Sequence, residues 1–89
     1  MKGNKNVGFD KGRQFSGFIR TPDGTKVSYA VKHYDMNSDY GIDGGKISKL
    51  EMRVEGTIVA LYDRGWVKYP DENNKAVMDA YLVLLYSHN

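Results

Sequence analysis

Asp63-Arg64-Gly65-Trp66 sets a carboxylate, a guanidinium and an indole side by side. Arg and Trp are enriched at the energetic centres of protein interfaces, and the same pair can stack a base or hold a phosphate. Strand alternation through the tetrapeptide would put Arg64 and Trp66 on one face and Asp63 and Gly65 on the other. The competing structural reading makes Gly65 a bulge, packs Trp66 under a helix, and pairs Asp63 locally with Arg64. Tyr34, Tyr40, Lys46 and Lys49 complete the candidate binding set around Arg64, Trp66 and Asp63. The chain has seven tyrosines, and so small a core cannot bury them all. Those left at the surface offer rigid contact area with a hydrogen-bonding tip.

Other residue clusters fall short of a chemical site. Asp35, Asn37 and Asp39 follow the one-three-five spacing of an EF-hand loop. Tyr40, however, stands where that loop needs glycine, and Lys46 stands where a glutamate would close the site. A polar loop that satisfies its own backbone is the better reading, and no metal site is expected. His33 and His88 are the only histidines. His33 continues the buried phase of its strand, and His88 is expected to be mobile near the end of the sequence. Gly44-Gly45-Lys46-Ile47-Ser48 resembles part of a phosphate loop but leads into a strand rather than a helix. Metalloprotease pairs, nucleophile elbows and dinucleotide fingerprints are absent from the sequence. Without cysteine there is no thiolate zinc site and no thiol nucleophile. The expectation is a protein that is not an enzyme, with no catalytic residues and no cofactor.

Charge suggests a second kind of partner. The net charge is +2, but residues 1–20 hold Lys2, Lys5, Lys11, Arg13 and Arg20 against Asp10 alone. Such a basic stretch would suit nucleic acid or a nucleotide as the alternative ligand, and it serves equally as a solubilising arm. MKGNKNVGF has no apolar run behind its lysines, so neither a signal peptide nor a membrane span is expected there.

The elements that would position these residues are readable from their periods. Residues 1–14 read as an irregular basic arm, and residues 15–89 as one domain. Phe15–Arg20 and Lys26–Asp35 alternate about Thr21-Pro22-Asp23-Gly24-Thr25, a strong hairpin signal. Leu50, Met52 and Val54 alternate with charged residues. Ile47 is out of phase with them, which implies a bulge near Ser48. Glu55-Gly56 turns into Thr57–Tyr62, apolar on both faces like an interior strand. Pro70 would end the sheet and suit the first turn of a helix, with Asp71, Glu72 and Asn74 as capping and first-turn groups. Val77, Tyr81, Leu84 and Leu85 then recur at helical spacing. The expected fold is α+β: a four-stranded antiparallel sheet with a C-terminal helix on one face. Homodimerisation would be a natural source of further stability for so short a chain.

Two segments carry a resemblance. Tyr40-Gly41-Ile42-x-Gly44-Gly45-x-Ile47-Ser48-Lys49-Leu50 and Tyr62-Asp63-Arg64-Gly65-Trp66-x-x-x-Pro70 resemble a family of small, uncharacterised domains of Firmicutes and their phages, over about residues 15–88. The resemblance implies phage or mobile-element origin, a bacterial cytoplasmic setting and no assigned activity. Proteins of that origin without catalytic motifs often inhibit host machinery, including CRISPR and other defence systems. The expected partner is therefore a host protein or protein complex.

Overall fold

The computed structural model describes residues 12–89. Lys2, Lys5 and Lys11 lie outside the described residues. Within them the chain folds as β1 (Arg13–Arg20), β2 (Lys26–His33), β3 (Ile47–Val54), β4 (Thr57–Asp63), β5 (Trp66–Lys68) and α1 (Lys75–His88), with a short 3-10 turn at Ile42–Gly44. The strands form an antiparallel meander in sequence order. The α+β class stands. The strand count does not: the sheet has five strands, because Trp66–Lys68 folds back on β4. The first strand also begins at Arg13, ahead of the expected Phe15.

Turn chemistry fixes the hairpins. Thr21 carbonyl accepts from Gly24 N–H, Gly24 adopts φ +90°, and the Asp23 carboxylate accepts from Thr25 N–H at 3.0 Å. Pro22 presets the first central dihedral and glycine accepts the left-handed one. Glu55 and Gly56 both have positive φ, as a two-residue turn of the primed class requires. His33 pairs with Ile47 and Lys32 with Lys49, which leaves Ser48 as the expected bulge.

Alternation sorts the sheet into two faces. Val27, Val31, Leu50, Met52, Ala60 and Tyr62 point one way and are buried under α1, which contributes Val77, Ala80, Tyr81 and Leu84. Asn74 caps the helix by accepting from Val77 N–H at 3.2 Å. Pro70 is not in the first turn of the helix. It is buried ahead of a separate turn, in which Asp71 accepts from Asn73 N–H, and the helix starts at Lys75. The loop from Tyr34 to Lys46 is fastened from a distance: the Asn89 side chain accepts from Ile47 N–H at 2.9 Å and donates to Ile42 carbonyl at 3.0 Å. His88, expected to be mobile, instead packs against Phe15 and His33, with ring centroids 5.1 and 5.0 Å away. Among the described residues no helix is long and apolar enough to cross a membrane.

Candidate functional site

Among the described residues no helix covers the other face of the sheet. Cross-strand register lays a row of polar side chains along it, Gln14, Lys32, Lys49 and Asp63 on four successive strands. Ser16, Ala30, Glu51 and Leu61 form the next row. Together they line a shallow groove of about 620 Å³. Arg53 beside it is already committed, to the Glu51 carboxylate and to Gly56 carbonyl. Lys32 and Lys49 are directly opposite each other. On its other side Lys49 is opposite Asp63, so an acidic neighbour accompanies the pair.

At the loop end of this face the floor deepens into a pocket of about 480 Å³, lined by Lys32, Tyr34, Ser38, Tyr40, Ser48, Lys49, Asp63 and Arg64. Three cations and one carboxylate converge there. Arg64 is placed by the turn between β4 and β5. Its N–H donates to Ser48 carbonyl, and its φ of 59° is left-handed. A non-glycine residue in that region costs roughly 1–2 kcal/mol. The guanidinium lies over the Tyr40 ring, 4.7 Å from its centroid. Tyr40 is held in turn from below, where the buried Tyr62 hydroxyl donates to Tyr40 carbonyl at 2.7 Å. Ser38 hydroxyl accepts from Tyr40 N–H at 3.1 Å. The Lys32 ammonium sits over the Tyr34 ring, 5.6 Å from its centroid.

Of the candidate binding residues, Arg64, Asp63, Tyr34, Tyr40 and Lys49 therefore share one pocket. Trp66 does not join them. It pairs with Tyr62 across β4 and β5 and turns inward, making edge contacts with Tyr62, Tyr69 and Tyr81 at 4.9, 4.8 and 5.7 Å. Such pairs stabilise by about 0.5–1.5 kcal/mol each beyond area burial, and they pack the half-buried Trp66 against the core. Alternation breaks between Arg64 and Trp66 because residues 63–65 turn. Lys46 is half-buried outside the pocket lining, and its carbonyl accepts from Tyr34 N–H. The local pair of Asp63 with Arg64 does not form. Among the described residues no carboxylate lies within ion-pair distance of Arg64 or Lys49.

Of the residues named for nucleic acid, Arg13 lies 3.8 Å from the Asp35 carboxylate, and Arg20 donates to Gly24 carbonyl in the hairpin turn. Lys2, Lys5 and Lys11 are beyond the described part. Asp35 and Asp39 do not converge: among the described residues no three acidic or histidine side chains gather in a metal-holding group. Lys32, Ser38 and Ser48 were not singled out by sequence. The signal for Lys32 was its alternation with Val31, and for Ser48 the bulge.

Ionisation follows burial. The Tyr62 phenol is raised above its ordinary value by desolvation and then by Asp43, and burial raises the Tyr81 phenol further. Both stay neutral and serve as structural groups. The His88 imidazole is lowered by burial and by the neighbouring His33.

A family described as "Domain of unknown function (DUF7678)" matches residues 13–86. No curated protein and no solved structure matches the chain.

Proposed function

Because the chain belongs to the DUF7678 family, whose description assigns no activity, we propose from its surface that it is a non-enzymatic binding protein that docks a host protein or protein complex on the uncovered face of its sheet. The resemblance of its motif pair to domains of Firmicutes and their phages supports phage or mobile-element origin, and a bacterial defence complex such as a CRISPR effector as the class of target. The observation that carries the reading is the face itself. Among the described residues the helix lies on one side of the five-stranded sheet and leaves the other open, and that side mixes apolar Ala30 and Leu61 with Lys49, Glu51 and Asp63. Mixed apolar and charged surface of this kind is what a protein partner covers and orients on. Phe18, 55 % exposed with the Lys26 ammonium over its ring, extends it toward the edge of the sheet.

The test is quantitative capture from a bacterial host lysate by the wild-type protein and by single variants. Ala30→Arg and Leu61→Arg place a cation in the groove, whereas Leu82→Arg changes the exposed side of the helix. A specific partner held by wild type and by Leu82→Arg, and reduced at least about tenfold by both groove variants, is the expected result; central interface residues commonly carry that much. No specific partner, or retention by the groove variants, would overturn the reading.

A further inference from the structure

The pocket at the loop end of the open face has a chemistry of its own, narrower than protein docking. Arg64 occupies a left-handed backbone position that glycine would fill without strain, yet a guanidinium is put there. The guanidinium lies over the Tyr40 ring, 4.7 Å from its centroid, and its five N–H groups are donors suited to an anion. Lys49 stands opposite Asp63 on β4 and shares the pocket with Arg64, so two cations and one carboxylate border the space that Arg64 faces. Neither Arg64 nor Lys49 has a carboxylate within ion-pair distance among the described residues. Tyr34 and Tyr40 add two aromatic walls. At about 480 Å³ the pocket falls within the size range of small-molecule sites, so a bare phosphate would leave much of it empty.

We infer that this pocket binds a mononucleotide, with Arg64 and Lys49 holding the phosphoryl oxygens and the tyrosine rings flanking the base. Guanidinium and phosphate match in a two-point fork, and an aromatic wall accepts any base through its π-face. The site is built by the fold: Tyr62 hydroxyl positions the Tyr40 segment, and Ser48 carbonyl fixes Arg64 N–H. Lys49 and Asp63 line both this pocket and the open groove, so a bound nucleotide and a docked protein would sense each other. The nucleotide site itself needs no host partner.

The experiment is calorimetric titration of the purified protein at low salt with adenosine 5′-monophosphate, guanosine 5′-monophosphate, the two nucleosides, and inorganic phosphate. At least one monophosphate should bind, its nucleoside about tenfold or more weaker, and binding should weaken with added salt. Losing a charge-assisted contact in Arg64→Gln or Lys49→Gln should lower the affinity about ten- to a hundredfold. Lys68→Gln, an exposed charge on β5 outside the pocket, should leave it unchanged. Circular dichroism of both pocket variants verifies the fold, and either folded variant decides the question. Binding of neither monophosphate up to low millimolar concentration overturns the inference, as does phosphate binding as tightly as the nucleotides, or unchanged affinity in a folded Arg64 or Lys49 variant. Because no lysate is involved, these outcomes are independent of partner capture by the open face.

Discussion

Replacing Asn89 by Ala tests whether one side chain holds the loop behind the pocket. The amide bridges two main-chain groups, Ile47 N–H at the start of β3 and Ile42 carbonyl in the 3-10 turn, and both residues are fully buried. The two losses are unequal. Ile42 carbonyl keeps a second bond, from Gly45 N–H at 2.8 Å, so it forfeits about 0.5–1 kcal/mol. Ile47 N–H loses its side-chain acceptor in a buried setting, which costs about 1–3 kcal/mol. Asn89 is half-buried, so water partly replaces it, and the sum settles at about 2 kcal/mol. For a domain of this size that lowers Tm by about 8–16 °C.

Urea melts of wild type and Asn89→Ala give the free-energy difference, and amide hydrogen exchange reads the site directly. Ile47 N–H should exchange faster in Asn89→Ala than the global loss explains. Asn89→Asp keeps an acceptor for Ile47 N–H but sets a second acceptor against Ile42 carbonyl, so its Ile47 exchange should fall between wild type and Asn89→Ala. A change below about 0.5 kcal/mol, the size of an ordinary surface substitution, together with unaltered Ile47 exchange, would refute the clamp.

Tyr62→Phe removes the hydroxyl that supports Tyr40 carbonyl; it should cost about 1 kcal/mol in a denaturant melt and weaken nucleotide binding without touching the pocket lining. The lowered His88 pKa fixes a sign. In its window the unfolded chain binds more protons than the folded one, so His88 contributes stability above pH 6.5 that is lost as pH falls below it. His88→Gln should therefore narrow the difference between the urea midpoints at pH 7.5 and pH 5.5, two conditions on the order of one unit either side of the histidine reference; an unchanged difference would sink the assignment. Arg64→Gly should separate stability from binding. Relief of about 1 kcal/mol of backbone strain offsets loss of a cation–π contact of about 0.5–1 kcal/mol, so the melt should barely move while nucleotide affinity falls; a loss above about 2 kcal/mol would make Arg64 structural instead.

What could be read from sequence was local. Thr21-Pro22-Asp23-Gly24 and Glu55-Gly56 announce their turns because Pro, Asp and Gly act on the dihedrals of the turn itself. Ser48 was readable as a bulge from the phase jump between Ile47 and Leu50. Asn74 was readable as a cap from the helical period beginning at Val77. The fifth strand was not, since Trp66-Val67-Lys68 is too short to show an alternation, and its turn places arginine rather than glycine in the left-handed region. The stacking of Phe15, His33 and His88 depends on how the helix lies across the sheet, which no spacing records. Asn89 offered no periodic signal either, because its bonds reach 42 and 47 positions back in the chain.

The same distinction explains why Arg64 and Trp66, adjacent in the motif, part company. Had β4 run on through residue 66, alternation would have set both side chains on one face. The turn at residues 63–65 instead reverses the chain, so Trp66 lies opposite Tyr62 and inherits its inward direction. Arg64, at the apex, is carried out toward Tyr40. One short motif thus serves two ends: its indole closes the aromatic layer beneath the helix, and its guanidinium faces a pocket floored by Lys49. The strain sits on the second of these. A turn selected only for the fold would favour glycine at position 64, where the left-handed φ costs nothing. An arginine there works against the backbone preference, and the proposed anion at Arg64 and Lys49 would give that strained position a use.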